Sequence, residues 1–354
     1  MLRYLVVACI VLFLPFTLTM AESDVILRGA GATFPYLLYT KWIDRYHAET
    51  KVRVSYAPVG SGAGIAQLVS HEVDFGGTDA FLTDEELRDM SGCILHLPTC
   101  VGAVAIVYNL PMDSVLRLTP ELIADIFAGR ITKWANREIA EANGNVSLPQ
   151  MDITVVHRSE GSGTTFLFTD YLSKVSSQWR EKIGSGKTVK WPSGLGLEGN
   201  PGVAEMVKQI PGSIGYVELS YAKSANLPTA SVRNRSGKFI EPGRDTVSSA
   251  ADVEIPPDAR ILITDTASPT GYPISGFSYI IFYKDLAYNQ FTRRKAESLA
   301  RFLSWIVHEG QQYNEQLHYG RLPHDAVRVA ETIIGSITFG GKPVTARQER
   351  DRLP

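Results

Sequence analysis

From Val25 to Asn109, short β-forming runs alternate with amphipathic helical runs, and no other feature of this 354-residue chain restricts its fold as much. ILRGAG leads into FPYLLYTKWIDRYHAE, where Leu38, Trp42 and Tyr46 recur every four residues. VRVSYAPVG leads into GAGIAQLVSHEV, and VDFGGTDA leads into TDEELRDM, opened by a capping box of Thr83 and Glu86. Strands alternating with helices build a parallel or mixed sheet with helices on its faces. The same order resumes after VGAVAIVYNL. TPELIADIFAG carries Thr119 as N-cap, Pro120 in its first turn and Gly129 past its end. DITVVHR reads as a strand running through RSEGSGTTF into the helix TTFLFTDYLSKV, and VAEMVKQI with SIGYVEL adds a further helix and strand. Residues 228–272, richer in Pro, Ser, Asp and Gly, are expected to be loops and edge strands. AESLARFLSWIVHEG and the run to YGRLP read as helical, and the tail after Pro343 as polar and loose. At ~150 residues per domain, two α/β lobes are the economical reading.

The first residues, MLRYLVVACIVLFLPFTLTMAESD, set Arg3 before an apolar run and end that run in small or polar residues, the pattern of a secretory signal peptide cleaved after Ala21. Roughly 15 apolar residues interrupted by Pro15 fall short of the ~20 that span a bilayer. The mature chain, from residue 22, is therefore expected to be soluble outside the cytoplasm. Cleavage removes one basic and no acidic residue from 35 and 37, leaving 34 basic against 37 acidic and a formal charge of −3. A nucleic-acid partner would call for a basic excess, so none is expected. Cys9 leaves with the leader. Cys93 and Cys100 bracket CILHLPTC, which reads as extended, so they stand roughly 20 Å or more apart at ~3.3 Å per residue, beyond the ~7 Å that a disulfide allows. Both are expected to be free, buried thiols. The seven histidines and these cysteines show no metal-ligand spacing, and no cofactor is expected.

Three strand-to-helix junctions share one chemistry: Ala32-Thr33-Phe34 before Pro35, Gly60-Ser61-Gly62 before AGIAQLV, and Gly161-Ser162-Gly163-Thr164 before TFLFTDYL. Each sets hydroxyls and small residues where a helix leaves its first N–H groups unpaired and its dipole positive. Such ends bind anions: glycine lets the backbone approach, and Ser or Thr adds a side-chain donor. Singly, each is also an ordinary cap or turn; together, with arginine at one of them, they point to an oxyanion site. Arg158 offers a planar fork matched to an oxyanion, and Glu160, two residues on, can hold that fork in place.

Other chemistries fit less well. Glu181-Lys-Ile-Gly-Ser-Gly-Lys-Thr188 has glutamate where a nucleotide-binding P-loop needs glycine, and SSQWREKI ahead of it reads as a polar helix, not a buried strand. Residues 60–64 read Gly-Ser-Gly-Ala-Gly, which is not the G-x-S-x-G of a nucleophile elbow. His157 beside Arg158 reads as structural. A phosphate-ester hydrolase would need a metal or an activated nucleophile, and a surface or adhesion protein with the same anion pocket stays open on these residues alone.

LRGAGATFPYLLYTKWIDRYHAETKVRVSYAPVGSGAG, VDFGGTDAFLTDEEL, VVHRSEGSGTTFLFTDYL, TVKWPSGLGLEGN and PGSIGYVE, in this order over nearly all of 25–345, resemble the periplasmic phosphate-binding proteins that feed ABC transporters. The resemblance implies a type II-like periplasmic binding protein, not an enzyme: two lobes, each a mixed sheet flanked by helices, closing over one dehydrated phosphate. Lobe I would comprise 22–109 with 273–354, and lobe II 110–272, with hinge segments near Asn109–Asp113 and Tyr272–Ser275. As phosphate ligands it implies Thr33, Phe34 through its backbone N–H, Ser61, Asp79, Arg158, Ser162, Gly163 and Thr164. Glu160 stands where an aspartate is common beside the pocket arginine, so that arginine is expected to be held slightly differently. The implied partners of a monomeric protein are inorganic phosphate and a two-subunit membrane permease with its cytoplasmic ATPase.

Overall fold

A computed structural model describes residues 25–345 apart from Asp113, Asn145, Ser147 and Gln290; the leader assigned to residues 1–21 and Asp113 of the first hinge segment therefore lie outside the described residues. The described strands, in chain order, are β1 (Ile26–Gly31), β2 (Arg53–Ala57), β3 (Phe75–Thr78), β4 (Ile94–Tyr108), β5 (Arg117–Leu118), β6 (Thr154–Arg158), β7 (Leu195–Leu197), β8 (Ser213–Glu218), β9 (Ser231–Arg233), β10 (Phe239–Ile240), β11 (Ser275–Tyr283), β12 (Thr338–Phe339) and β13 (Lys342–Pro343). Eight of them form one mixed sheet in the order β2-β1-β3-β11-β4-β8-β6-β7. β1 pairs in parallel with β2 and β3, and β6 in parallel with β7 and β8, as strand–helix–strand connections require. β11 and β4 join these halves through antiparallel pairs.

β4 holds the two halves together. Its sequence ILHLPTCVGAVAIVY is buried almost throughout, the near-continuous apolar run of a strand covered on both faces. CILHLPTC and VGAVAIVYNL thus belong to one strand. Residues Ile94–Ala103 pair with β11, and Val104–Tyr108 pair with β8. The chain passes between the halves inside β4, at Ala103–Val104, and returns where β11 begins at Ser275. The β11–β4 register shifts between Ser278, opposite Cys100, and Tyr279, opposite Pro98, leaving Thr99 without a partner residue. Proline has no N–H for the ladder, and a bulge there bends the strand. The hydroxyl of Ser278, beside this irregularity, reappears below.

The helical signals act locally, as their spacing requires. The helix Tyr36–Thr50 buries Leu38, Tyr39, Trp42 and Tyr46. Thr83 Oγ1 accepts the Glu86 N–H at 3.2 Å while Glu86 Oε2 accepts the Thr83 N–H at 2.8 Å, closing the expected box. Thr119 caps Pro120–Phe127 by accepting the Leu122 N–H at 3.3 Å.

Three readings change. Cys100 is buried but Cys93 is exposed, because β4 begins only at Ile94; both thiols are free. Residues 228–272 hold more order than expected: β9 and β10 join β5 in a small three-stranded sheet, and Arg244–Ala250 is a helix. The chain beyond Pro343 is not loose at its start, since Val344 is buried and its N–H donates to the Ile337 carbonyl at 3.0 Å.

Candidate functional site

The three glycine–hydroxyl junctions, which follow the C-terminal ends of β1, β2 and β6, meet, and Asp79 joins them from the end of β3. The first two helices, Tyr36–Thr50 and Ser61–Val69, start without a side-chain cap, so their leading N–H groups are not consumed by one. The third, Gly163–Val175, is capped by Ser162, whose Oγ accepts the Thr165 N–H at 3.1 Å. Segments distant in sequence touch directly here: Gly62 N–H donates to the Gly161 carbonyl at 2.9 Å, and Gly163 N–H to Ser61 Oγ at 3.1 Å. A Cβ on Gly163 would lie 2.4 Å from Asp79 Oδ2 and 2.6 Å from Ser61 Oγ, so only glycine fits. The two halves of the molecule are closed on one another.

Thr33, Phe34, Ser61, Asp79, Arg158, Ser162 and Thr164 are all buried in this seam. The hydrogen-bond inventory of their hydroxyls has one sense. Thr33 Oγ1 accepts from Asn200 N (3.2 Å) and Nδ2 (2.9 Å); Ser61 Oγ accepts from Gly163 N and, at 3.4 Å, from Asp79 N. Ser162 Oγ accepts from Thr165 N, and Thr164 Oγ1 accepts from Arg158 Nη1 (3.3 Å) and Asn200 Nδ2 (3.2 Å). A hydroxyl that accepts keeps its own proton to give. Four O–H donors are thereby reserved. Phe34 sits between them with its ring buried and its carbonyl bound to Tyr319 Oη at 2.6 Å.

Arg158 ends β6, with its backbone N–H on Tyr216 Oη at 3.2 Å. Its Nε donates to Glu160 Oε1 at 2.9 Å, its Nη2 meets the same oxygen, and Gly199 N–H adds a third donor there at 3.0 Å. With Nη1 on Thr164, three of the five guanidinium N–H groups are used in positioning and two are left. Burial resists ionisation of Glu160, but the hydrogen bonds and charge of Arg158 outweigh it, and its carboxyl lies below the ordinary value. Glu160 thus aims the guanidinium, as its spacing suggested.

Asp79 is the exception among these donors. Ser278 Oγ donates to its Oδ1 at 2.7 Å, while Oδ2 is buried without a partner. Burial raises its carboxyl to about 7, against the lowering effects of the Ser278 hydrogen bond and the Arg158 charge. The site therefore offers several donors, with Asp79 Oδ2 as an acceptor among them and Glu160 Oε2 unpaired behind the arginine.

The residues reasoning from sequence missed are those that support this geometry from afar. Asn200 lies in the quoted stretch TVKWPSGLGLEGN but gained no role there; its Nδ2 bridges Thr33 and Thr164 and its Oδ1 accepts Glu218 N–H at 2.9 Å. Ser278, Tyr221, whose hydroxyl donates to the Thr33 carbonyl at 2.8 Å, and Tyr319 had no local signal. His157 stacks on Trp191 at 4.7 Å between ring centroids, with Nδ1 against the Arg158 carbonyl, so it packs rather than serving as a base. The Glu181–Thr188 stretch begins in the last turn of the helix Ser177–Lys182 and not after a strand, and Lys187 pairs with Glu86 at 2.7 Å across the seam.

A family-wide sequence pattern, the PBP superfamily domain, matches residues 19–309. A phosphate-binding protein PstS of Pasteurella multocida is 38% identical over 323 residues, covering 90% of this chain and 92% of the relative. One from Xylella fastidiosa (strain 9a5c) is 40% identical over 316 residues, covering 87% and 85%. Among solved structures, a phosphate-binding protein from Stenotrophomonas maltophilia shares the fold with a TM-score of 0.65 at 21% identity, covering 87% of this chain and 93% of that one.

Proposed function

The chain belongs to the PBP superfamily, and on that premise we propose that it captures inorganic phosphate between two lobes and delivers it to an ABC-type importer. One observation carries the reading: four hydroxyls and an aimed arginine offer protons, while Asp79 Oδ2, set against Gly163 and Ser61 where the walls meet, is a buried oxygen left to accept one. Phosphate near neutral pH presents oxygens to the donors and keeps a proton for the acceptor. Sulfate has no such proton and would leave a buried carboxylate facing lone pairs.

Thr33, the Phe34 N–H, Ser61 and Asp79 form one wall, and Arg158, Ser162, Gly163 and Thr164 the other, with Glu160 behind the arginine. Lobe I comprises 22–109 with 273–354, and lobe II 110–272; the change of partner within β4 favours a hinge at Ala103–Val104, ahead of Asn109, paired with the return near Ser275. The work is capture without bond cleavage, in the periplasm, by a monomer that docks on membrane permease subunits served by a cytoplasmic ATPase. Equilibrium dialysis with labelled phosphate tests it: saturable retention that sulfate fails to displace is expected, and the absence of saturable retention overturns it.

A further inference from the structure

β8 ends at Glu218, at the point where β4 changes partner: Glu218 is opposite Val104, and the preceding Ala103 is opposite Ser275. Glu218 is wholly buried. Its Oε2 accepts the Ser220 N–H at 2.9 Å and lies 2.9 Å from Tyr319 Oη, while Oε1 has no partner. The same Tyr319 Oη lies 2.6 Å from the Phe34 carbonyl oxygen.

A phenol carries one proton. A carbonyl only accepts, and so does an ionised carboxylate. With Glu218 ionised, Tyr319 would satisfy one oxygen and press a lone pair on the other. Both contacts become hydrogen bonds only when Tyr319 donates to Phe34 and receives a proton from Glu218; a protonated Oε2 still keeps a lone pair for Ser220 N–H.

We propose that Glu218 is held as a neutral carboxylic acid in the closed form and donates to Tyr319, so that Glu218, Tyr319 and the Phe34 carbonyl tie β8 of one lobe to the ligand wall of the other. Glu218 is a positioning residue that acts through Tyr319, and this role goes beyond phosphate capture, on which only its functional readout rests. Among the described residues, the titratable groups that face Glu218 most strongly are Asp79, Cys100, Tyr221 and Tyr319, none of them cationic. Burial pushes the Glu218 carboxyl up to about 8, and the Tyr319 and Ser220 hydrogen bonds only partly oppose it. The raised value sets the sign: the proton is present well below about 8, and the tie is lost as pH rises through that value. Asn200 and Tyr221 also join the lobes at Thr33, so ionisation loosens closure without abolishing it.

Two measurements test the proposal. At neutral pH the infrared spectrum of the phosphate-saturated protein should contain a protonated-carboxyl band that Glu218→Gln removes, that Asp79→Asn leaves, and that Tyr319→Phe shifts in frequency. Calorimetric titration with inorganic phosphate from pH ~7 to pH ~9 should show wild-type affinity falling roughly tenfold more than that of Glu218→Gln, whose amide cannot ionise. A band untouched by Glu218→Gln, or parallel pH profiles, overturns the proposal. Should Glu218→Gln fail to fold, Tyr319→Phe decides alone: an unshifted band, or a pH profile parallel to wild type, overturns it. Should the wild type not bind phosphate, the transport reading fails, while the infrared band of the protein alone still decides whether Glu218 holds its proton.

Discussion

Ser278 donates its hydroxyl proton to Oδ1 of Asp79 across 2.7 Å and 199 sequence positions, and this one bond fixes which oxygen of the carboxyl is left for a ligand. Oδ2 remains, buried and unpaired.

Asp79→Asn keeps the size of the side chain and turns that acceptor toward an amide donor. A site built to hydrogen-bond a group rejects an analogue lacking it by ~10⁴ or more. We expect the discrimination of phosphate over sulfate to fall by at least ~100-fold in the variant, with sulfate binding gained. In the wild type, sulfate binding should strengthen as pH falls through about 7, where Asp79 takes up a proton and becomes a donor; Asp79→Asn should lose this pH dependence. Competition of both anions against labelled phosphate across that range measures it, and equal exclusion of sulfate by the two proteins rules out the role of Asp79.

Ser278→Ala removes a donor that favours the ionised carboxyl. The Asp79 carboxyl should therefore move further up from about 7, and the midpoint of the sulfate pH profile should move up with it. Carbon-detected NMR titration of the labelled carboxyl reads this directly. An unmoved or lowered midpoint would show that the Ser278 bond does not hold Asp79.

Arg158→Ala removes a buried guanidinium and strands Glu160 without its partner. Phosphate binding should weaken by about 2 to 5 kcal/mol, the range for truncating one side of a buried charge pair. Arg158→Lys, which keeps the charge but loses the fork, should fall between wild type and the alanine variant. A loss under about 0.5 kcal/mol by titration calorimetry would place Arg158 outside the site.

Gly163→Ala sets a methyl group where Asp79 Oδ2 and Ser61 Oγ already stand, a conflict that the proposed opening of the lobes would relieve. We expect phosphate affinity to drop at least ~100-fold while the thermal midpoint of the ligand-free protein moves by no more than ~3 °C. Small-angle scattering should show wild type becoming more compact with phosphate and the variant not responding. Rim ion pairs such as Lys187–Glu86 are partly exposed and worth about 0–1 kcal/mol each, so they do not close the lobes by themselves. A wild-type radius of gyration unchanged at saturating ligand would defeat the closing mechanism.

What the sequence determined by itself is what rests on bonds between near neighbours. The Thr83–Glu86 box, the Thr119 cap, the Ser162 cap and the Arg158–Glu160 pair each span two or three positions, so spacing and residue type suffice to read them. The alternation of strands and helices likewise pointed to a parallel or mixed sheet with helices on its faces, and the order of matched motifs identified which junctions to combine. Only the tertiary structure decided which distant groups consume which lone pairs. Asn200 reaches Thr33 across 167 positions, Ser278 reaches Asp79 across 199, and Tyr319 reaches Glu218 across 101. The same holds for β4: CILHLPTC and VGAVAIVYNL stand apart in the sequence reading, yet they fold as one strand because β11 and β8 pair with its successive halves. A hydroxyl in a sequence is both donor and acceptor; burial against a particular partner makes it one or the other, and that partner is chosen by chain topology, to which local spacing is blind.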